Sequence, residues 1–296
     1  MKNNKINSIL ITGCNGLLGR DLCEKLSKSN LDLYGLVHNN LYTPIKNVRY
    51  IIKDLSNLNN LDKLPKKIDC IVHLAQSSNF RKFPEFSQDI FNVNVSSTAF
   101  LLEYARKINV KKFIYASSGG IYGKGPSSFD ENASIVPIGD LGFYLGTKTC
   151  GEIIVQSYAS IFEVNIIRPF FIYGKYQNRS MLIPRIMDSI SNGKAITIQN
   201  NQGIRINPIN VDDASNSVIA LLEKNSSSIF NIAGPEILSI FEIAETMADF
   251  LQKKPIYKNI AGPSYDIIAD ITLMKKELKV PTKTLKQSLH EIAPKN

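Results

Sequence analysis

Tryptophan is absent from this 296-residue sequence, and it has only three histidines and four cysteines. Cys14, Cys23, Cys70 and Cys150 stand far apart, with no C-x-x-C pair and no histidine cluster beside them. Neither a zinc site nor a disulfide framework is therefore expected, and no metal. The cysteines read as small buried hydrophobes. No apolar run approaches the ~18 residues that a membrane-spanning helix requires. The start, Met1-Lys-Asn-Asn-Lys-Ile-Asn7, carries no signal-peptide core. A cytoplasmic protein without a membrane partner is expected. Internal repeats, low-complexity tracts and long flexible linkers are missing too.

Acidic residues are the scarcer charge, 26 against 35 lysines and arginines, for a net +9. Nucleic acid, a membrane surface or an anionic small molecule could each match that sign. The basic residues are scattered, with only short pairs such as Lys66-Lys67, Lys111-Lys112 and Lys275-Lys276. A nucleic-acid surface would concentrate them with interleaved aromatics. No nucleic-acid partner is expected, and a phosphate-bearing small molecule fits the charge at least as well.

Short β-rich runs alternate with helical patterns in the amino-terminal half. Strands are expected at Ser8–Thr12, Leu33–His38, Val48–Ile52, Asp69–Ala75, Lys112–Ser117 and Val164–Arg168. Helices are expected at Gly19–Ser29, Phe91–Lys107 and Gly146–Ser160. Most of the strands are continuous apolar runs, as in a parallel sheet buried on both faces. The β-then-α order implies an α/β fold with a Rossmann-type doubly wound parallel sheet. After Arg168-Pro169 the rhythm changes, and Pro169, Pro184, Pro208, Pro235, Pro255 and Pro263 punctuate shorter elements. Phe230–Ala233 reads as one more strand returning to the main sheet. The expected division is a dinucleotide-binding domain over 1–170, with 203–234 returning to it. A smaller carboxyl-terminal substrate-binding lobe would comprise 171–202 and 235–296.

Two motifs carry chemistry. In the first, the strand ending at Thr12 runs into Gly13-Cys-Asn-Gly16-Leu-Leu-Gly19 and then a helix. Gly13 permits the tight turn, Gly16 lets backbone approach a pyrophosphate, and Gly19 lets the helix pack on the strand. The helix amides then face the phosphates. A lone glycine triplet is a weak signal, but between a first strand and a first helix it becomes a strong one. At the end of the second strand a carboxylate would bind the ribose diol of NAD and an arginine the 2′-phosphate of NADP. Leu36-Val37-His38-Asn39-Asn40 contains neither, and the missing acid favours NADP over NAD. Asp54, after the third strand, reads either as an adenine contact or as the cap of the next helix.

The second motif is a pair of segments. Phe113-Ile-Tyr-Ala-Ser117-Ser118-Gly-Gly-Ile-Tyr122-Gly123 puts hydroxyls at the carboxyl end of a buried strand. Tyr144-Leu-Gly-Thr-Lys148 puts a phenol and an ammonium one turn apart on a shared helix face. Hydride transfer between a carbon and a nicotinamide needs a proton moved on the attached oxygen. A tyrosine, with an unperturbed pKa of about 10, needs a nearby cation to do so near neutrality. Ser118 would polarise and orient the substrate oxygen. A bare Y-x-x-x-K arises by chance in many helices; the glycine loop, the serine strand and this helix in that order make it specific.

With these residues the chain resembles the extended short-chain dehydrogenase/reductases, the NAD(P)-dependent nucleotide-sugar epimerase/dehydratase family. The resemblance extends through His73-Leu-Ala75, Asn94-Val95, Arg168-Pro169-Phe-Phe-Ile-Tyr-Gly174, Gly203-Ile-Arg205 with Val211-Asp-Asp213, Phe230-Asn-Ile-Ala-Gly234, and Asp270 with Lys275-Lys-Glu-Leu278. It implies Ser118, Tyr144 and Lys148 as catalytic residues. It implies an NAD(P) site from Gly13, Asn15, Gly16, Leu17, Leu18, Gly19, His38, Asp54, Leu55, Leu74, Ala75, Asn94, Tyr144, Lys148 and Pro169. Ser118, Tyr144 and Arg205 would meet the nucleotide-sugar substrate, Arg205 at its diphosphate, and Asn94 would support the active-site hydrogen bonds. A role in polysaccharide biosynthesis and a homodimer built on two helices from each subunit are implied as well.

Departures from the family pattern narrow the activity. Its dehydratases carry Asp-Glu where this chain has Gly119-Gly120. Its members that epimerise C3 and C5 carry a cysteine at the place of Gly120 and a later histidine. Neither chemistry is expected here. Two remain: reduction of a 4-keto sugar nucleotide, and 4-epimerisation by oxidation, rotation and re-reduction. A second diphosphate arginine is missing from Ala261-Gly-Pro-Ser-Tyr265, and the family's 4-epimerases carry an acid at the second-strand end, so reduction stands ahead of epimerisation. A relative that keeps the fold but only senses dinucleotide or binds RNA is the more distant alternative; such relatives usually lose the tyrosine or the lysine.

Overall fold

The computed structural model describes residues 5–39, 43–57, 64–125, 127–262 and 265–294. Asn40 and Pro263, singled out above, lie outside these. The chain divides into two compact units. One comprises Met1–Ile121, Ile135–Arg168 and Val218–Phe230, the other Tyr122–Ser134, Pro169–Ser217 and Asn231–Asn296. Residues 203–217 and 231–234 thus cluster with the second unit and 218–230 with the first.

The first unit is built on a seven-stranded sheet. Its strands are β1 (Ser8–Thr12), β2 (Asp32–Val37), β3 (Val48–Ile52), β4 (Cys70–His73), β5 (Lys112–Ala116), β6 (Glu163–Pro169) and an edge strand at Ser228–Ile232. The spatial order runs from that edge through β6, β5, β4, β1 and β2 to β3. Successive pairs from β6 to β3 are parallel. β1, β4 and β5 are buried along their whole length, which is why their sequences are unbroken apolar runs.

Helix α1 (Leu17–Leu26) follows β1. From β1 the chain moves outward to β2 and β3 and returns on the other side as β4. The switch point of the sheet therefore lies between β1 and β4, where open α/β sheets bind ligands. β4 is shorter than the expected Asp69–Ala75 because its pairing with β1 ends at Thr12 opposite His73. The Ala75 amide then turns to the Thr12 hydroxyl at 3.2 Å.

The helical stretch expected over Phe91–Lys107 begins earlier and is interrupted. α2 (Ser87–Phe91) leads into a π-helical turn at Asn92–Ser96 and then α3 (Ser97–Lys107). Helix α4 (Gly142–Gln156) follows β5 and carries Tyr144 and Lys148.

The second unit contains α5 (Leu182–Ser191), part of α6 (Val211–Glu223), α7 (Ile240–Leu251), α8 (Thr272–Glu277) and α9 (Leu285–Ile292). Short strand pairs join them: Ile172–Tyr173 with Ile209–Asn210, Arg205–Ile206 with Leu238–Ser239, and Ala195–Gln199 with Ile256–Ile260. Its core gathers Tyr173, Ile186, Met187, Ile243, Met247 and Leu289. Ser239 and Glu242 close the start of α7 with a capping box, and Thr284 and Gln287 do the same for α9. Among the described residues no helix is long and apolar enough to cross a membrane.

Candidate active site

Gly13 leaves β1 with φ +70°, and a Cβ there would stand 2.8 Å from the amide nitrogen of Ala75. Its carbonyl accepts the Gly16 amide at 2.9 Å. A Cβ on Gly19 would fall 2.3 Å from that same oxygen. The three glycines thus let a tight turn, the first turn of α1 and the β4 loop occupy one small volume. Gly16 caps α1 without a side-chain hydrogen bond, and the first turn holds no acid. Its amides are left for an anion, which is the geometry a dinucleotide pyrophosphate requires. Asn15, Leu17 and Leu18 lie on this turn. Deeper in the unit, the buried Ser117 hydroxyl has no hydrogen-bond partner among the described residues. The residues present fit a bound nicotinamide dinucleotide.

From Thr12, at the end of β1, a hydrogen-bonded chain crosses the unit to α4. The Thr12 hydroxyl and His73 Nδ1 are 2.7 Å apart, and His73 Nε2 and the Thr98 hydroxyl 3.0 Å. Thr98 donates to the Asn94 carbonyl at 2.7 Å. Its oxygen must then accept from His73, so the imidazole carries its proton on Nε2 and accepts from Thr12 on Nδ1. Burial, with the charge of Lys148 behind it, holds His73 down at about 3, so the ring is neutral. Asn94 Nδ2 donates to the Thr147 hydroxyl at 2.9 Å, and Thr147 donates to the Tyr144 carbonyl at 2.7 Å. Asn94 can reach both partners because it lies in the π-helical turn between α2 and α3.

Tyr144 is half-buried, with the Phe80 ring 4.9 Å from its own. Its hydroxyl donates to Gln76 Oε1 at 2.9 Å. Burial pushes the phenol up to about 12, against a hydrogen bond with Ser118 and the positive charge of Arg81. Lys148 is buried and donates to the Ala116 carbonyl at 2.9 Å. Burial brings its ammonium down to about 8. Ser118 follows β5, and its oxygen accepts the Gly120 amide at 3.2 Å. The 3₁₀ turn Gly119–Tyr122 contributes no carboxylate.

Beneath Lys148, Glu152 and Arg168 form a buried bidentate pair at 2.9 and 2.7 Å, fixing α4 to β6. A Cβ on Gly151 would lie 2.0 Å from the Tyr115 hydroxyl, so the helix can seat on β5 only with glycine there.

The structure brings the glycine turn, Ala75, Asn94, Ser118, Tyr144 and Lys148 into the first unit, with Leu74 on the turn leaving β4. His38 and Asp54, from the ends of the adjacent strands β2 and β3, approach to 3.6 Å. Burial alone would raise Asp54, but the Ser56 amide and His38 hold it below the usual carboxylate value. Leu55 follows it and is buried. Pro169 ends β6 and Arg205 lies in the second unit. The Arg205 guanidinium grips Asp266, with its Nε 2.9 Å from the carboxylate. Two features escaped the reading of the sequence. One is Gln76, signalled only by its place directly after His73-Leu-Ala. The other is a cavity of about 460 Å³ in the second unit, lined by Leu182, Arg185, Ile186, Ile198, Gly203 and Ile204 among others. Its walls come from separate elements with no shared motif. Among the described residues no cluster of three or more His, Cys, Asp or Glu could hold a metal.

A doubly wound sheet with a glycine turn at its switch point and a tyrosine–lysine helix beside it defines a nucleotide-dependent oxidoreductase of the short-chain dehydrogenase/reductase type. The model of the NAD dependent epimerase/dehydratase family matches residues 9–233, and this chain belongs to that family and is an enzyme of it. It is 28% identical over 312 residues to an uncharacterized UDP-glucose epimerase of Bacillus subtilis, covering 96% of each chain. It is 24% identical to the dTDP-4-dehydro-6-deoxy-D-allose reductase of Streptomyces bikiniensis, over 97% of this chain and 95% of that one. The UDP-glucuronic acid 4-epimerase of Bacillus cereus, solved with UDP-glucuronic acid and NAD, superposes with a TM-score of 0.84 at 27% identity, covering 96% of this chain and 97% of that one.

Proposed function

We propose that this enzyme transfers hydride at C4 of a nucleotide sugar, in the direction of reducing a 4-keto sugar to its alcohol. The observation that carries this reading is the Tyr144 hydroxyl, held as a hydrogen-bond donor with Ser118 beside it and no carboxylate at Gly119-Gly120. Ser118 orients the sugar oxygen. Tyr144 gives its proton to that oxygen as C4 receives hydride. Lys148, one turn along α4, supplies the positive charge that stabilises the phenolate left behind. Gly13, Gly16 and Gly19 with the first turn of α1 would hold the pyrophosphate of a nicotinamide dinucleotide, which when bound would supply the hydride. Without an acid–base pair at 119–120, loss of water from the sugar has no catalyst. Within the second unit, Arg205 and the neighbouring cavity are assigned to the nucleoside diphosphate; about 460 Å³ falls within the usual range for ligand sites.

A second reading, 4-epimerisation with retained NAD, has an observation of its own. The segment His38-Asn39-Asn40 directly after β2 contains no acid, yet β3 delivers Asp54 to within 3.6 Å of His38 at the β2 end. That carboxylate supports binding of an unphosphorylated ribose, which favours NAD over NADP. NAD is also the cofactor in the Bacillus cereus structure. Denaturing the purified protein and assaying released nicotinamide separates the two readings. An empty protein that reduces nucleotide 4-keto sugars with added NADH or NADPH is expected for the reductase. A stoichiometric NAD that needs no addition would establish the epimerase. Tyr144→Phe turning over at the wild-type rate would overturn both.

A further inference from the structure

We propose that Gln76 is a further residue of the reaction machinery: its side-chain carbonyl holds the Tyr144 phenol in the protonated, donating form until a substrate oxygen takes its place. The inference rests on the reading of Tyr144 as proton donor and adds what poises it. Oε1 of Gln76 lies 2.9 Å from the Tyr144 hydroxyl. An amide oxygen can only accept, so this contact exists only while the phenol keeps its proton.

The side chain of Gln76 is exposed, but its backbone is fixed on both sides. The Ala75 amide donates to Thr12 Oγ1 at 3.2 Å and the Ser77 amide to Asn94 Oδ1 at 3.0 Å. The Ser77 hydroxyl in turn donates to Asp89, and Asn79 Nδ2 reaches the same carboxylate oxygen at 3.3 Å. The loop after β4 is thus pinned to the β1 end, to the π-helical turn and to α2. That leaves Gln76 as the residue between two anchors that reaches the reacting oxygen.

The other groups around the phenol act in the opposite sense. Ser118, after β5, and Arg81, before α2, both favour phenolate. Lys148, on the same helix, spends one hydrogen bond on the Ala116 carbonyl. Behind them Tyr115 of β5 and the neutral His73 of β4 carry no charge. Burial is the largest influence toward the neutral phenol, and the Gln76 carbonyl adds to it, because a hydrogen bond accepted from the neutral form disfavours ionisation.

In the reaction, the substrate's C4 carbonyl oxygen displaces Gln76 Oε1 as acceptor. Hydride from reduced nicotinamide forms the C4–H bond, and the phenolic O–H breaks to give the alcohol. The nicotinamide is left oxidised and Tyr144 ionised. Its proton is recovered from solvent, and the Gln76 contact re-forms.

The test compares the wild type with Gln76→Met, which keeps the length without the acceptor, and with Gln76→Glu. Tyr144 is followed through the tyrosine 13Cζ resonance that Tyr144→Phe removes, titrated upward from pH 7 while the amide spectrum stays native. Because one net hydrogen bond is at stake, Gln76→Met should lower the midpoint, or its onset, by about 0.5 to 1 pH. Gln76→Glu, with a carboxylate beside the phenol, should raise it. The alkaline limb of kcat/KM for 4-keto reduction should move the same way. A midpoint unchanged or raised in Gln76→Met overturns the inference, since it would show the amide facing the phenol with its donor or not at all. Full turnover in Tyr144→Phe would instead overturn the proton-donor role of Tyr144, an outcome the titration reads separately.

Discussion

Lys148 shows how a single residue can be costly to the fold and, on the proposed function, needed by the site. It is a buried ammonium brought down to about 8 from 10.5 by desolvation. Below about pH 8 it is charged in both folded and unfolded chains, and the burial penalty is present in full. Between pH 8 and 10.5 the unfolded chain binds more protons, so stability rises with pH and the penalty fades. Lys148→Met is therefore expected to stabilise the protein at pH 7, by up to about 3 kcal/mol. The advantage should shrink toward pH 10.5 in denaturation series, while hydride transfer is lost. A variant less stable than wild type at pH 7 would contradict this. His73 works at the other end of the scale. Its folded value is depressed to about 3 from 6.5, so its contribution is present above pH 6.5 and lost as pH falls through that window. Acid unfolding monitored by circular dichroism should be shallower between pH 6.5 and 3 in His73→Asn, provided the variant folds.

Helix α4 carries Tyr144 and Lys148, on which the proposed chemistry depends, and two of the contacts that hold it can be tested by substitution. Glu152 and Arg168 are both under one-tenth exposed and pair in bidentate fashion. Glu152→Gln would remove the carboxylate that neutralises the buried guanidinium, at a cost of about 3–5 kcal/mol. Exchanging both partners for apolar residues should cost much less, as a double-mutant cycle would show. Gly151→Ala would set a methyl 2.0 Å from the Tyr115 hydroxyl. Displacement of α4 should then reduce kcat more than cofactor affinity, and Tyr115→Phe in the same chain should restore part of it. Equal losses in kcat and affinity would argue against that account. The turn ahead of α1 gives a separate expectation. Gly13→Ala combines a left-handed φ with a 2.8 Å approach to Ala75, so it should abolish the rise in Tm on adding dinucleotide. In the wild type that rise should correspond to about 2.7 kcal/mol at a hundredfold excess over Kd.

At the scale of the molecule, what was legible in the sequence was what repeats or what clashes. The central strands β1, β4 and β5 could be read because each is an apolar run with both faces covered, and β1 and β3 fall at their expected bounds. The glycine turn and the tyrosine–lysine spacing were readable because their geometry allows few substitutes. Besides Gln76 and the cavity of the second unit, three things were not legible. The π-helical turn at Asn92–Ser96 leaves no period of its own in a helical pattern. The meeting of His38 and Asp54 depends on β2 and β3 being neighbours, which fifteen residues of intervening sequence conceal. The division of the chain runs through α6, leaving 203–217 with the second unit, and no proline or glycine marks it.

The most direct measurement of the central claim follows the transferred hydride itself. Nicotinamide carrying deuterium at its reactive carbon is mixed with the enzyme and a nucleotide 4-keto sugar, and the product is examined by NMR. Deuterium at C4 of the sugar, in proportion to cofactor oxidised and absent with Tyr144→Phe, is the expected result. Product lacking deuterium at C4, or labelled equally well by Tyr144→Phe, would contradict the account.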